Sequence, residues 1–384
     1  MKKHGRGAVA ALLTAHCAGM LDLVTLPLWV GSLVAWYGFD PQRAGLLATL
    51  FLGGQVASSL YFAPRFGRFP ERRSATIGFS IAGLAFLGIS NTHDYGLMAL
   101  LHLVGGLGAG CALSMTHGTM GGSGNPHRLF AHAGLALGVF GIVTLGAGPK
   151  LIAAAGGSAM FAAFAGITAI AAVVAAFAFP SPLTIRPEVH GARARLSRPV
   201  WFGMVGMGLV SLANTTVFSF VERIGIDRGY GVDAVSAAFV IAGLVNLVSA
   251  FLAVLLQKRV PAERVILFGP LVQAALLLAI TQVDAYAIYA LVMATMIAAV
   301  VLIHTFLFGL LARLDPSGRA VAATPAMLMI GSATGPLLGG TLVKLSGYRA
   351  LGLAGASVAV LAALCFLRLQ SAKAVPAPQQ AVDL

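Results

Sequence analysis

The sequence predicts an all-α membrane protein of twelve transmembrane helices in two pseudo-symmetric six-helix bundles. Composition is the first observation, because 58% of the 384 residues are hydrophobic, only 10% are charged, and the mean hydropathy is +0.90. A repeat is the second, since the tetrapeptide Tyr-Gly-Phe-Asp at 37–40 recurs as Tyr-Gly-Val-Asp at 230–233, which is 193 residues later. Two halves in the same order are typical of secondary transporters.

The composition excludes an ordinary soluble domain, in which about 25% of residues are charged. A membrane span needs about 20 apolar residues, and helices are expected because a bilayer offers backbone groups no other partners. Twelve segments meet this requirement: about 8–36, 44–63, 74–92, 96–118, 130–152, 158–179, 200–222, 234–256, 265–282, 286–311, 320–343 and 348–367.

The net charge of +13 follows the predicted topology. With the N-terminus inside, 19 of the 25 basic residues fall on the cytoplasmic side, as the positive-inside rule requires. We therefore expect membrane lipids, and no nucleic acid, as partners of these charges. Both termini are predicted to be cytoplasmic, in a bacterial-type inner membrane, with no cleaved signal peptide. Cys17, Cys111 and Cys365 lie inside spans and are expected to be unpaired.

One long polar loop divides the chain. We expect an N-terminal six-helix bundle at 1–180, a cytoplasmic linker at 181–199, a C-terminal six-helix bundle at 200–370 and a disordered tail at 371–384. The tail is rich in Pro, Gln and Ala, which is typical of disorder.

The loop after the second span reads Leu-Tyr-Phe-Ala-Pro-Arg-Phe-Gly-Arg-Phe at 60–69. It resembles the Gly-x-Leu-Ala-Asp-Arg-x-Gly-Arg-Arg signature of the major facilitator superfamily, with Pro64 in the place of the Asp. In that family the Asp helps to latch the two halves in one state. The resemblance implies a conformational latch at Arg65, Gly67 and Arg68, with Glu71 as the nearby carboxylate.

Three further segments resemble this superfamily, and the likeness extends over essentially the whole chain. Span 4 has His102 where the Arg of an Arg-x-x-x-Gly-x-Gly-x-Gly pattern usually stands. Span 11 carries Gly-x-x-x-Gly-Pro-x-x-Gly-Gly at 331–340, and span 5 carries a degraded copy at 144–153, which in the family is associated with proton antiporters. The helix-packing residues implied by these copies are Gly148, Pro149, Gly335, Pro336, Gly339 and Gly340.

Asp22 is the candidate proton carrier, because a carboxylate at the centre of a bilayer normally faces a cavity or a partner. The resemblance places spans 1, 4, 7 and 10 around a central cavity, so Asp22 would lie there. The alternative is a carboxyl group that serves only packing. His102 is a second proton-coupling candidate that could pair with Asp22, since imidazole titrates near neutral pH. His16 lies on another face of its helix and is expected to pack.

Span 7 offers Ser211, Asn214 and Thr215, which with Glu222 are predicted to form one polar stripe. We expect the first three to contact substrate, together with His304 of span 10. Glu222 is expected to form a solvated pair with Arg223 or to act at a gate.

These observations predict a secondary active transporter that moves a small solute by alternating access. Proton-coupled export of an amphipathic neutral or cationic compound is favoured, because no Lys or Arg inside a span would hold an anion. Proton-coupled uptake of a small metabolite stays open, as does a sensor or an intramembrane enzyme on the same scaffold. The sequence carries none of the common soluble-enzyme or phosphate-loop motifs, so we expect no enzyme, no cofactor and no metal. Substrate and protons are the expected small partners, and we expect a monomer.

Overall fold

The computed structural model describes residues 5–181, 196–256, 259–315 and 319–370. Within these ranges the chain forms helices and no strand, which confirms the all-α prediction. Ten helical segments in the same ranges are long and apolar enough to cross a membrane. The predicted tail at 371–384 and most of the predicted linker at 181–199 lie outside the described residues.

The helices overlap the predicted spans, although the first span contains three helices and the last two spans share one helical segment. They are α1 (Arg6–Gly19), α2 (Leu21–Val24), α3 (Leu26–Ala35), α4 (Pro41–Phe62), α5 (Glu71–Ser90), α6 (Tyr95–Gly121), α7 (Pro126–Ala155), α8 (Gly157–Ala178), α9 (Arg198–Phe218), α10 (Val221–Asp227), α11 (Val232–Leu256), α12 (Ala262–Gln282), α13 (Tyr286–Leu314) and α14 (Arg319–Gln370). The last is two helices joined at a kink, because Gly347 has φ 76° and ψ −174°. Only glycine adopts such a conformation readily.

Side-chain caps fix where several helices begin. Asp40 accepts hydrogen bonds from the amides of Gln42 and Arg43, and so caps α4. Asp94 caps α6 and Asn125 caps α7 in the same way. Asp and Asn are preferred at this position because their short side chains satisfy amides that have no partner inside the helix.

The ends of the helices form two faces. The Gly38 face carries residues 36–40, 91–94, 228–231 and 283–285, and the Gly67 face carries residues 63–70, 122–125 and 259–261. We call residues 5–181 the N-terminal half and residues 196–370 the C-terminal half.

The apolar cores show how the two halves are joined. Near the Gly38 face a single buried cluster includes residues of both halves, such as Trp29, Phe51, Val221 and Tyr289. Toward the Gly67 face the core is divided into two clusters, one within the N-terminal half and one within the C-terminal half. The halves are therefore packed together at the Gly38 face and packed separately at the Gly67 face.

Glycines allow neighbouring helices to approach closely. A Cβ added at Gly106 of α6 would collide with the backbone of Phe51 in α4, whereas a Cβ added at Gly53 would meet nothing within 4 Å. Apolar side chains gain little free energy when they leave lipid for a helix interface. Membrane helices therefore associate through close packing, which small residues permit.

Gly106→Ala should therefore lower the free energy of unfolding by about 1–3 kcal/mol, which is the usual effect of overpacking. Gly53→Ala is the matched control and should be neutral or stabilising by up to about 1 kcal/mol, because alanine favours a helix. Thermal unfolding of the purified protein in detergent measures both. Equal melting temperatures for the two variants would contradict the proposed close contact between α4 and α6.

Candidate functional site

The first predicted span is broken twice, and Asp22 lies between the two breaks. Met20 and Thr25 have ψ values of 7° and 9°, which are not helical, so only the short helix α2 separates them. Pro27 explains the second break, because it has no N–H to bond the carbonyl of Leu23 and its ring crowds that carbonyl. Broken helices of this kind expose backbone groups where transporters bind ions and substrates.

Asp22 is almost completely buried, with 2% of its surface exposed. Its Oδ1 is 3.4 Å from Nε2 of Gln55, which donates a shorter hydrogen bond of 2.8 Å to the carbonyl of Gly19. Its Oδ2 has no hydrogen-bond partner among the described residues. A buried carboxylate with one unpartnered oxygen is costly unless it gains a proton or a cation.

His102 is fully buried and lies apart from this carboxylate. Its Nδ1 is 2.7 Å from the carbonyl of Met98, so Nδ1 carries the proton and donates, and Nε2 has no partner among the described residues. The ring stacks on Trp29 at 5.6 Å and meets the edge of Phe161. The side chain that contacts Asp22 is Gln55, and not His102.

A pair of histidines was missed by the sequence analysis. Nδ1 of His16 and Nε2 of His117 are 3.0 Å apart, which joins α1 to α6 in the part of the N-terminal half nearer the Gly67 face. His16 packs, as predicted, but its partner was not foreseen. The sequence signal that could have predicted this contact was the presence of two polar residues at similar depths in spans 1 and 4.

The polar residues of span 7 do not form one stripe. Ser211 Oγ is 2.7 Å from Ser332 Oγ of α14, and Thr215 donates to the carbonyl of Ser211, so both hydroxyls lie between two helices of the C-terminal half. Asn214 is partly exposed, and its Oδ1 has no described partner. Glu222 follows a break at Phe220 and lies in α10 against α3. The single stripe is therefore a wrong prediction, because the break turns the end of span 7 away from its beginning.

His304 of α13 is partly buried. Its ring meets the edge of Phe308 at 4.0 Å, and its Nε2 has no described partner. Of the four predicted substrate contacts, Asn214 and His304 are the two with a polar atom that is buried and unused.

The predicted packing residues lie at close helix contacts. A Cβ at Gly335 would meet Thr215, a Cβ at Gly339 would meet the carbonyl of Thr216, and a Cβ at Gly340 would meet the carbonyl of Pro41. The carbonyl of Pro336 lies against Gly45 of α4, so this segment contacts both span 7 and the opposite half.

The copy in span 5 makes similar contacts. Gly148 packs against Leu28 of α3, and Pro149 lies inside the continuous helix α7.

The loop predicted as a latch lies at the Gly67 face. Arg65 folds back onto its own helix, where its guanidinium donates to the carbonyl of Tyr61 at 2.8 Å and lies 4.2 Å from the centre of that ring. Gly67 has a φ of 85°, which the turn requires. The amide of Arg68 donates to the carbonyl of Arg65, and Glu71 is the first residue of α5. Arg65 thus contacts its own half here.

The two repeated tetrapeptides form a pair of ion pairs across the Gly38 face. Asp40 of the N-terminal half is 3.3 Å from Lys344 of the C-terminal half, and Asp233 of the C-terminal half is 3.2 Å from Lys150 of the N-terminal half. The repeat therefore places each of its aspartates beside a lysine of the opposite half. Close by, the amide of Leu337 donates to Oγ1 of Thr49 at 3.1 Å. We call these two ion pairs the Gly38 latch.

Neighbouring groups stabilise the negative charge of Asp40. Burial alone would raise the pKa of Asp40, but the amide of Arg43, the ammonium of Lys344 and the amide of Gln42 together hold it below its usual value of 3.8. The carboxylate is therefore ionised at neutral pH. Its pair with Lys344 weakens as the pH falls through this lowered pKa.

A helical membrane protein with broken spans, and with two halves joined at one face, has the architecture of a secondary transporter. The model of the Major Facilitator Superfamily matches residues 11–317. The chain belongs to the major facilitator superfamily.

Solved structures of transporters have the same fold. A bacterial homologue of the human lysosomal transporter Spinster, in an inward-facing and occupied conformation, is 13% identical with a TM-score of 0.75, over 96% of this chain and 98% of that one. A mutant of the nucleoside transporter NupG is 12% identical with a TM-score of 0.73, over 94% and 99%. A D-xylose–proton symporter is 15% identical with a TM-score of 0.72, over 93% and 96%. No curated protein sequence matches this chain significantly.

These comparisons identify a multi-pass membrane protein with a transporter fold, and they indicate a transporter and not an enzyme.

A charge reversal tests the Gly38 latch. Lys344→Asp places two carboxylates together and should favour opening of the face, by up to about fivefold, because exposed pairs contribute about 0–1 kcal/mol. Adding Asp40→Lys should restore the pair and close the face again. Because Asp40→Lys also removes the cap of α4, the double variant is compared with Asp40→Lys alone, which should be the more open of the two. The readout is the rate at which a membrane-impermeant reagent modifies a cysteine placed at Thr49. Similar rates in the single and double variants would show that the pair does not hold the face.

Proposed function

We propose that this protein is a proton-coupled exporter of the bacterial-type inner membrane that moves a small amphipathic neutral or cationic compound by alternating access. Twelve spans follow if α1–α3 and α9–α10 are each one broken span and α14 is two. They form an N-terminal bundle within 1–180 and a C-terminal bundle within 200–370, both termini being cytoplasmic. The Gly38 face is then the outer face, and the Gly67 face is the cytoplasmic one.

The division of the apolar core is the observation that carries this proposal. One cluster joins the halves at the Gly38 face, and separate clusters lie toward the Gly67 face. Hydrogen bonds and ion pairs between described residues of the two halves also lie toward the Gly38 face. This is the arrangement expected of a transporter that is closed to the outside, whose second state would close the cytoplasmic face instead.

Asp22 supports coupling to protons, because it is a buried carboxylate with no described cation paired to it, in a short helix between two breaks. In this proposal it binds a proton in one state and releases it in the other. Its negative charge also favours a neutral or cationic substrate over an anion. Asn214 and His304 are the side chains proposed to contact that substrate.

A panel of candidate compounds tests whether there is a substrate site. A ligand that binds the folded state raises its melting temperature in proportion to the logarithm of the ligand concentration over Kd. Amphipathic cations and neutral amphiphiles should raise the melting temperature of the purified protein, and matched anions should not. Stabilisation by sugars or other small polar metabolites alone would favour uptake over export.

Asp22→Asn tests the coupling. The amide cannot carry a proton, so the variant should lose accumulation driven by a pH gradient in proteoliposomes while it keeps substrate exchange. The isosteric change should leave the fold intact, because Gln55 can still bond the remaining oxygen. Accumulation at the rate of the unmodified protein would assign Asp22 a structural role.

Pro64→Asp tests the latch at the cytoplasmic face. Arg65, Gly67, Arg68 and Glu71 are proposed to hold this face shut without the acid that the family signature usually supplies. Restoring the acid should stabilise that closed state by about 1.5–3 kcal/mol, which is the value of a charge-assisted hydrogen bond.

Spin labels at cysteines replacing Arg128 and Arg259, both exposed near the Gly67 face, would report a shorter distance in Pro64→Asp than in the parent. Pro64→Ala is the matched control and should leave the distance unchanged. Identical distances in all three proteins would mean that the acid has no effect on closure.

A further inference from the structure

Glu222 is an ionisable side chain that the proposed cycle has not used. It is the second residue of α10 and has 9% of its surface exposed. Its Oε2 is buried and has no hydrogen-bond partner among the described residues. The expectation of a solvated pair with Arg223 is wrong, since Arg223 is bound to Asp227 instead.

The break between α9 and α10 sets the direction of this side chain. Phe220, at the break, lies 193 residues after Pro27, which is the spacing of the repeated tetrapeptides. Beyond the break, the carboxyl group of Glu222 lies directly against Gly31 of α3. A Cβ added at Gly31 would overlap Oε2 and come within 2.9 Å of the carboxyl carbon. Glu222 thus belongs to one half and contacts the backbone of the other.

The cations nearest to Glu222 form ion pairs with other carboxylates. Arg223 pairs with Asp227, whose other oxygen accepts a hydrogen bond of 2.6 Å from Tyr348. Arg228 pairs with Asp284 at 2.7 Å and also donates to two backbone carbonyls of α12. Arg223 is near enough for its charge to favour an ionised Glu222, but it forms its ion pair with Asp227, and no described cation forms an ion pair with Glu222.

The other groups around Glu222 do not supply a positive charge either. Tyr289 of α13 donates its hydroxyl to the carbonyl of Val221, and it packs against Tyr230 and Tyr286. The sequence of α3, Leu26–Ala35, contains no ionisable residue. The titratable and charged groups on the elements packed around Glu222 are Arg223, Asp227, Arg228, Tyr230, Asp233, Tyr286, Tyr289 and Tyr348.

An ionised Glu222 between α3 and α10 would have no ion pair, and its Oε2 would have no hydrogen-bond donor, among the described residues, which is unfavourable in a low dielectric. Two events relieve this: the carboxylate binds a proton, or α3 and α10 separate and admit water. We propose that Glu222 is a second proton-binding site, whose protonation permits the Gly38 face to close and whose ionisation opens it. The proton comes from and returns to water at that face, and no other bond is made or broken.

This inference rests on the proposed function, because it adds a second proton-binding step to the same cycle. It gives the two carboxylates different tasks. Asp22 carries the coupled proton within the N-terminal half, whereas Glu222 links protonation to the contact between the halves.

Spin-label distances across the Gly38 face test the proposal. Labels at cysteines replacing Ala154 and Leu345, both exposed, report on the two halves in a protein whose native cysteines are replaced. With Glu222 unchanged, the labelled protein should show the short distance between the labels in acid. A longer distance should appear as the pH rises. For one proton, the ratio of open to closed changes by at most about tenfold per pH unit.

Glu222→Gln mimics the protonated side chain and should keep the short distance at every pH. Glu263→Gln makes the same change on an exposed carboxylate at the Gly67 face and should keep the pH response. Two results would overturn the proposal. One is a label distance that depends on pH in Glu222→Gln as it does with native Glu222, and the other is a label distance that does not depend on pH with native Glu222.

A steric variant provides a second test. Gly31→Ala places a methyl group where the carboxyl group lies, so it should favour the longer distance even in acid. Adding Glu222→Ala removes the carboxyl group and should restore the short distance. A short distance in Gly31→Ala alone would contradict the contact on which the proposal depends.

The two proposals can fail separately. Loss of gradient-driven accumulation in Asp22→Asn with an unchanged pH response at the Gly38 face would support both carboxylate roles. Normal accumulation in Asp22→Asn would overturn the role of Asp22 and leave the distance experiment on Glu222 as it stands.

Discussion

The structure depends on close contact between the two halves at the Gly38 face, and glycine makes that contact possible. Gly31 of α3 lies against Glu222, Gly45 of α4 lies against Pro336, and Gly340 of α14 lies against Pro41. A side chain at any of these three positions would separate the halves. In lipid there is little hydrophobic drive to bring apolar helices together, so close packing and polar contacts have to supply the attraction.

The polar contacts at this face are individually weak. In the Gly38 latch the side chains are 43% and 32% exposed for Lys344 and Asp40, and 64% and 91% exposed for Lys150 and Asp233. Such pairs contribute about 0–1 kcal/mol each. Weak contacts suit a protein that must open this face in every cycle, because two states that interconvert differ by only a few kcal/mol. The buried Glu222 is different, since its charge is compatible with only one of the two states.

The sequence predicted much of the fold for clear physical reasons. Long apolar segments require a membrane, and helices are the structures that satisfy their backbone there. The repeated tetrapeptide indicated two related halves, and the structure shows what it does: both aspartates reach lysines of the opposite half. Spacing along the chain cannot reveal such pairs, because Asp40 and Lys344 are far apart in sequence.

The site was less predictable, because its geometry depends on irregular backbone. A regular helix would place Ser211, Thr215 and Glu222 near one face, but the break at Phe220 directs Glu222 to α3 while the two hydroxyls contact α14. Pro27 was a visible signal for the corresponding break after Asp22, and its counterpart Phe220 was not, since phenylalanine has no such effect. The pairing of His16 with His117 likewise follows from how α1 and α6 pack and from no local pattern.

The most direct test of the account is to lock the Gly38 face and measure transport. Nζ of Lys344 lies 3.2 Å from Oε1 of Gln42, so cysteines at these two positions can be joined by a short, reducible cross-linker. If the halves must separate at this face in each cycle, cross-linking should stop transport in proteoliposomes, and reduction should restore it. Continued transport by fully cross-linked protein would contradict the account.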